Sequence, residues 1–194
     1  MTDSPADTVT LASRAASEIR DVVSMLGDQD MDPMIEALAA ARRIAVYGVG
    51  REGLMMKALT MRLFHMGLDA HVVGDMTTPP VSAGDLLLVS AGPGHFSTVQ
   101  ALLETARAAG AATACVTAQP DAPCPGLADT VLVIPAQTMA DDTPDGQAAP
   151  QSILPMGSLY EGAQYVVFEV LILRLKARLA ISSDVMRARH TNLE

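Results

Sequence analysis

Glu161 lies one turn into a long apolar helical stretch, just after Pro155-Met-Gly-Ser158. A carboxylate at that place ordinarily complements the positive end of the helix dipole. Set over a sheet edge in a partly dry pocket, it is instead a general base, its proton affinity raised by burial. Position alone favours the first reading. Glu169, eight residues on, shares roughly the same face and reads as structural or interfacial.

Two glycine-bearing junctions offer the complementary chemistry, the holding of an anion. In Arg43-Ile-Ala-Val-Tyr-Gly-Val-Gly-Arg-Glu-Gly-Leu54 a β-branched apolar run ends at Gly48 and Gly50, and a helix-forming stretch follows. The second junction, Asp85-Leu-Leu-Leu-Val-Ser-Ala-Gly-Pro-Gly94, leads to a helix opened by Ser97 and Thr98. The first amides of such a helix can face an anion. In the second loop Ser90, Gly92, Gly94, Ser97 and Thr98 could hold a phosphate through amides and dipole without an arginine. An ordinary glycine-rich turn, with Ser97 or Thr98 as the N-cap, accounts for the same residues. Arg51 either reaches an anion or pairs with a nearby carboxylate such as Glu52. The second loop matches neither the Walker pattern nor the dinucleotide fingerprint with a following acidic residue, which argues against ATP and NAD.

Of the histidines, His95 projects from the second glycine loop and could touch a ligand, and His190 sits in the polar terminal segment 184–194. His65 and His71 fit packing or helix-terminus roles. Cys115, in an apolar run, and Cys124 are too few for a disulfide framework and lack metal-ligand company.

The elements that must position these residues follow from periodicity. Residues 8–26 carry apolar side chains at helical spacing, and Asp32-Pro33 looks like a helix start, with a helix to about 41. Then come strand 43–48, helix 52–66, strand 70–74, strand 86–90, helix 97–109, strand 112–117 and strand 130–134. Gly67 and Gly110 stand where helices end. Residues 137–155 form a polar loop that is either a lid or a plain solvated excursion. A long helix over 156–181 and a tail complete the chain. Alternating strands and helices predict an α/β, doubly wound parallel sheet with long N- and C-terminal helices. The expected organisation is one domain over 1–194, with N-terminal helices to 41, a sheet core over 43–134 and a C-terminal part over 156–194.

The composition bounds the partners. The chain has 194 residues, 49% of them hydrophobic, and a mean hydropathy of +0.27. No apolar run approaches the roughly 18–20 residues of a membrane span. The surplus apolar surface predicts a homo-oligomer. A net charge of −9 disfavours nucleic acid. Without a signal pattern at the N-terminus, the expected location is the cytoplasm.

Taken together, these motifs resemble the sugar isomerase (SIS) domain family, and within it most closely the 6-phospho-3-hexuloisomerases. The matching pieces are Gly48-Val-Gly-Arg-Glu-Gly-Leu54, Met61-Arg-Leu-Phe-His-Met-Gly67, Val73-Gly74 with Thr78-Pro79, and Gly84-Asp-Leu-Leu87. Leu154-Pro-Met-Gly-Ser-Leu-Tyr-Glu161 and Arg189-His-Thr-Asn-Leu-Glu194 are the specific ones. The resemblance implies a five-stranded parallel sheet, a homotetramer, and a carbonyl shift on a phosphorylated sugar through an enediol(ate). It implies no metal or organic cofactor. Glu161 would be the proton-shuttling base, and His190 would enter from a neighbouring subunit.

Two departures stand out. Where the family usually reads Gly-Arg-Ser-Gly, this chain has Glu52 in place of the serine. Where it usually reads Ser-Gly-Ser-Gly-Glu-Thr, this chain has Ala91-Gly-Pro-Gly-His-Phe96. Hydroxyls are lost, and Pro93 deletes an amide donor. A carboxylate beside a dianionic phosphate costs energy unless Arg51 or Lys57 neutralises it. On this reading the substrate-binding set is Gly50, Arg51, Glu52, Ser90, Gly92, Gly94, His95, Ser97 and Thr98.

Overall fold

The computed structural model describes residues 7–141 and 152–193. Its centre is a five-stranded sheet in the order β2-β1-β3-β4-β5. The strands are β1 (Ile44–Gly48), β2 (Ala70–Val72), β3 (Leu86–Ser90), β4 (Ala112–Thr117) and β5 (Thr130–Val133). Every neighbouring pair is parallel. The helices are α1 (Thr8–Val23), α2 (Asp28–Ala40), α3 (Gly50–His65), α4 (Ser97–Ala108), α5 (Ser158–Arg178) and α6 (Ser183–Ala188).

Alternation along the strands splits the core in two. Ile44, Val46, Leu86, Leu88, Val116 and Leu132 point to the face covered by α2, α3 and α5. Ala45, Leu87, Val89 and Cys115 point to the other face, against Val99, Leu103 and Ala106 of α4. Helices on both faces of a parallel sheet are the doubly wound arrangement. Cys115 and Cys124 are both buried free thiols, and burial pushes Cys115 up to about 12, which leaves it inert.

Several boundaries differ from the periodicity reading. Helix α2 starts at Asp28, not at Asp32-Pro33, because Asp30 reaches back to accept from the Gly27 N–H at 2.7 Å. Pro33 then lies inside the helix. The N-cap of α4 is Phe96 rather than Ser97 or Thr98, and it makes no side-chain cap bond. The last long helix stops at Arg178, where Ala180 turns to φ 53°. Ser182 then caps α6, its hydroxyl accepting from the Val185 N–H. The segment read as a polar tail is therefore partly helical. Of the loop 137–155, residues 142–151 lie outside the described ones. Asp141 closes the preceding turn on the Thr138 N–H at 2.8 Å.

At the strands' N-terminal edge Asp85 has a fully enclosed side chain and accepts from Arg42 Nε at 3.0 Å and from the Ser82 N–H at 2.8 Å. The Arg42 hydrogen bond, with Ser82 assisting against desolvation, holds its carboxyl at about 2 instead of 3.8. The unfolded chain takes up this proton first as pH falls, so the stabilisation is complete above 3.8 and disappears through about 2. Asp85→Asn is expected to lower stability at pH 7 by about 1–3 kcal/mol. In urea titrations its deficit against the parent protein should close as the pH approaches 2. A deficit unchanged across that range would contradict the assignment.

Candidate functional site

The strand order reverses at β1, whose neighbours are β2 on one side and β3 on the other. Chains leaving two such strands part company and open a crevice at their carboxyl ends. A cavity of about 280 Å³ lies there. Its wall draws on four junctions: Val49 to Glu52 after β1, Pro93 and Phe96 after β3, Thr138 and Met139 after β5, and Met156, Gly157, Tyr160 and Glu161 around the start of α5.

Two left-handed residues aim the helices at this cavity. Gly50 begins α3 at φ 57°, and Gly157 precedes α5 at φ 79°. A Cβ on Gly157 would stand 3.0 Å from the Met139 N, so glycine lets α5 close against the turn that follows β5. Neither N-cap residue makes a side-chain cap bond, and both helices begin at the cavity wall.

Glu161 and Arg51 meet across the cavity. Arg51 Nε lies 2.9 Å from Glu161 Oε2, with side-chain exposures of 61% and 12%. The approach is out of line for a hydrogen bond, so Oε2 is buried with no hydrogen-bond partner. Arg51 Nη1 instead donates to Ser158 Oγ at 2.8 Å. Burial raises the proton affinity of Glu161, and the Arg51 charge opposes that shift. A carboxylate with a vacant lone pair and an elevated proton affinity has the character of a base. The carboxylate paired with Arg51 is thus Glu161, not Glu52.

Glu52 turns the other way. It is 7% exposed, and its Oε2 accepts from Ser90 Oγ at 2.5 Å and from the Gly92 N–H at 2.9 Å. Gln164 Nε2 donates to the same Ser90 Oγ at 2.8 Å, and the Tyr160 hydroxyl lies 3.4 Å from it. Desolvation raises the proton affinity of Glu52 most; the Ser90 and Gly92 bonds oppose it, and the Glu161 charge adds to it. Gly92 is required here, since a Cβ would stand 2.8 Å from the Tyr160 ring and 2.9 Å from Glu52 Oε1.

Of the residues singled out in the sequence, Gly50, Arg51, Glu52 and Glu161 line the cavity. Ser90 and Gly92 are sealed behind the wall. The Gly94 N–H is spent on Ala91 O at 2.8 Å. His95 is exposed, its Nε2 3.1 Å from Gln100 Oε1. Ser97 and Thr98 are exposed at the start of α4 and off the cavity wall. Lys57 lines a separate hollow beside β1 and β2 with Tyr47 and Val73, and does not neutralise Glu52. His190 stacks 5.3 Å from His65, at the far end of α3, with Arg189 against Gly67.

Sequence reasoning missed Tyr160, Gln164, Phe96 and the flanking Thr138, Met139 and Met156. Tyr160 and Gln164 are four apart on the helix that carries Glu161, so their shared inward face was available from spacing. Thr138 and Met139 fall in the polar loop 137–155, which the sequence marks as a segment but without singling out residues.

The comparisons bear on this geometry. A family model described as SIS domain matches residues 37–164. The 3-hexulose-6-phosphate isomerase of Mycobacterium gastri is 38% identical over 182 residues, covering 94% of this chain and 89% of that protein. The chain belongs to the SIS domain family. Its relative in Bacillus subtilis, also named 3-hexulose-6-phosphate isomerase, is 29% identical, with 96% and 99% of the two chains covered. A solved Methanococcus jannaschii structure, for which a 3-hexulose-6-phosphate isomerase function was inferred, superposes with a TM-score of 0.80 at 22% identity. The superposition covers 94% of this chain and 98% of that one, so the fold is shared over nearly the whole length. The matched segment of the SIS domain ends at Gln164, so it contains the whole cavity wall. No helix among the described residues is long and apolar enough to cross a membrane.

Proposed function

We propose that this SIS domain is a sugar isomerase that moves a carbonyl between adjacent carbons of a phosphorylated ketohexose, as the names of its relatives describe. The observation that carries this reading is the Glu161–Arg51 arrangement. A nearly enclosed carboxylate oxygen without a hydrogen bond stands 2.9 Å from a guanidinium at the mouth of the cavity.

That pair suits an enediolate route. Glu161 takes the proton from the carbon next to the carbonyl, and the C–H electron pair becomes a C=C bond while the carbonyl pair moves to oxygen. The negative oxygen is stabilised by Arg51, whose charge is already in place and needs no reorganisation. The carboxyl then returns the proton to the neighbouring carbon, the hydroxyl proton passes from its own oxygen to the former carbonyl oxygen, and the carbonyl re-forms one position along. Elevated proton affinity brings the carboxyl nearer the balance between taking and giving that a shuttle needs. His190 of a second copy assists proton movement at the sugar oxygens, in a homotetramer located in the cytoplasm. The exposed apolar side chains Leu54, Met61 and Phe64 on α3 and Tyr165 on α5 support association between copies.

The test is incubation with fructose 6-phosphate in deuterium oxide, followed by NMR. Interconversion with 3-hexulose 6-phosphate and deuterium at the carbons exchanging the carbonyl is the expected result. A protein that binds the sugar phosphate, by thermal shift, yet incorporates no deuterium would be a sensor and would overturn the isomerase reading.

A further inference from the structure

The first part of the β3–α4 turn, Ser90 to Gly94, looks like an anion cradle, yet its donors are committed. The Ala91 N–H goes to Val116 O at 2.9 Å and the Gly94 N–H to Ala91 O at 2.8 Å. The Gly92 N–H goes to Glu52 Oε2 at 2.9 Å. Position 93 is proline and has no N–H. The Ser90 hydroxyl donates to that same Glu52 oxygen, at 2.5 Å. The protein's own carboxylate therefore occupies the place where a ligand anion would gather amide and hydroxyl donors.

We propose that Glu52 is a specificity-determining residue that makes the β3–α4 side of the cavity a wall reading hydroxyl groups. The substrate's anionic group is thereby kept away from that side of the cavity. Both described bonds to Glu52 fall on Oε2, so Oε1 is the acceptor that remains for a sugar hydroxyl. Pro93 and Phe96, the cavity residues beside it, add apolar surface and no cation. The nearest guanidinium, Arg51, is turned to Ser158 and Glu161. A dianion at the turn would face a carboxylate with no countercharge, which specificity by repulsion requires.

This inference rests on the isomerase reading only for the identity of the sugar. Its test does not. Isothermal titration with inorganic phosphate, fructose and fructose 6-phosphate compares the parent protein with Glu52→Ser and Glu52→Gln. Serine frees the Gly92 amide and removes the charge. Glutamine keeps an acceptor for Gly92 and Ser90, and so preserves the fold if serine does not.

Phosphate binding is expected to tighten at least tenfold in Glu52→Ser and severalfold in Glu52→Gln. Affinity for fructose should weaken, so that the preference for the phosphorylated sugar rises. Phosphate affinity that is unchanged or lower in the folded variants would overturn the proposal. If the parent protein isomerises no sugar, the function proposed above fails, while the phosphate titrations still decide the role of Glu52.

Discussion

Replacing Glu161 by glutamine is expected to lower kcat by about 10²–10⁴-fold while sugar binding stays within a few-fold of the parent. The amide is isosteric and keeps the cavity shape, but has no lone pair basic enough to take a carbon-bound proton. A thermal shift with fructose 6-phosphate should persist in this variant. The parent should also show a rising acidic limb in kcat/KM. Its midpoint lies above the ordinary carboxylate value of 4.5, because burial raises the affinity of Glu161 for its proton and Arg51 only partly offsets this. Near-normal turnover in Glu161→Gln would remove the residue from the mechanism.

The largest effect on stability is expected at Tyr160. The ring is 1% exposed and belongs to the core cluster shared with Met56, Ala163 and Val167. It also closes on Gly92 and forms part of the cavity wall. Tyr160→Ala should cost about 3–5 kcal/mol, the range for aromatic truncation in a core. For a chain of this size that is a fall of about 6–20 °C in Tm. Tyr160→Phe removes only a hydroxyl lying 3.4 Å from Ser90 Oγ, and should cost no more than about 1 kcal/mol. Comparable losses in the two variants would show that the hydroxyl, not the ring, holds the site together.

Much of the fold could be read from the chain because the signals were local. The runs 86–90 and 112–117 became β3 and β4 unchanged. Gly67 and Gly110, at φ 92° and 79°, end α3 and α4 as their spacing implied. The misses came from competition between signals. Asp32-Pro33 has the form of a helix start, but Asp30 binding the Gly27 N–H sets the boundary earlier.

Glu161 and Arg51 were singled out in the sequence and both line the cavity, although helix position alone reads Glu161 as a partner of the helix dipole. The site was not legible where a side chain had two directions to choose from. Glu52 and Arg51 are adjacent on one turn, and pairing between them was the simple reading. Their divergence depends on Ser90 and Gly92, forty residues away in sequence and brought alongside only when β3 pairs with β1. Ser97 and Thr98 likewise lie off the cavity wall, exposed at the start of α4, where Phe96 and neither hydroxyl residue takes the N-cap position.

Helix α3 separates two of the residues assigned to catalysis. Gly50 at its start is on the cavity wall, and His65 at its end stacks against His190. Its sixteen residues measure about 24 Å along the axis, more than any side chain can reach. On the proposed function, a centre that uses both Glu161 and His190 would therefore draw on two copies of the chain. Under that proposal its specific activity would be a property of protein concentration, constant while the assembly is intact and collapsing on dilution once the copies part.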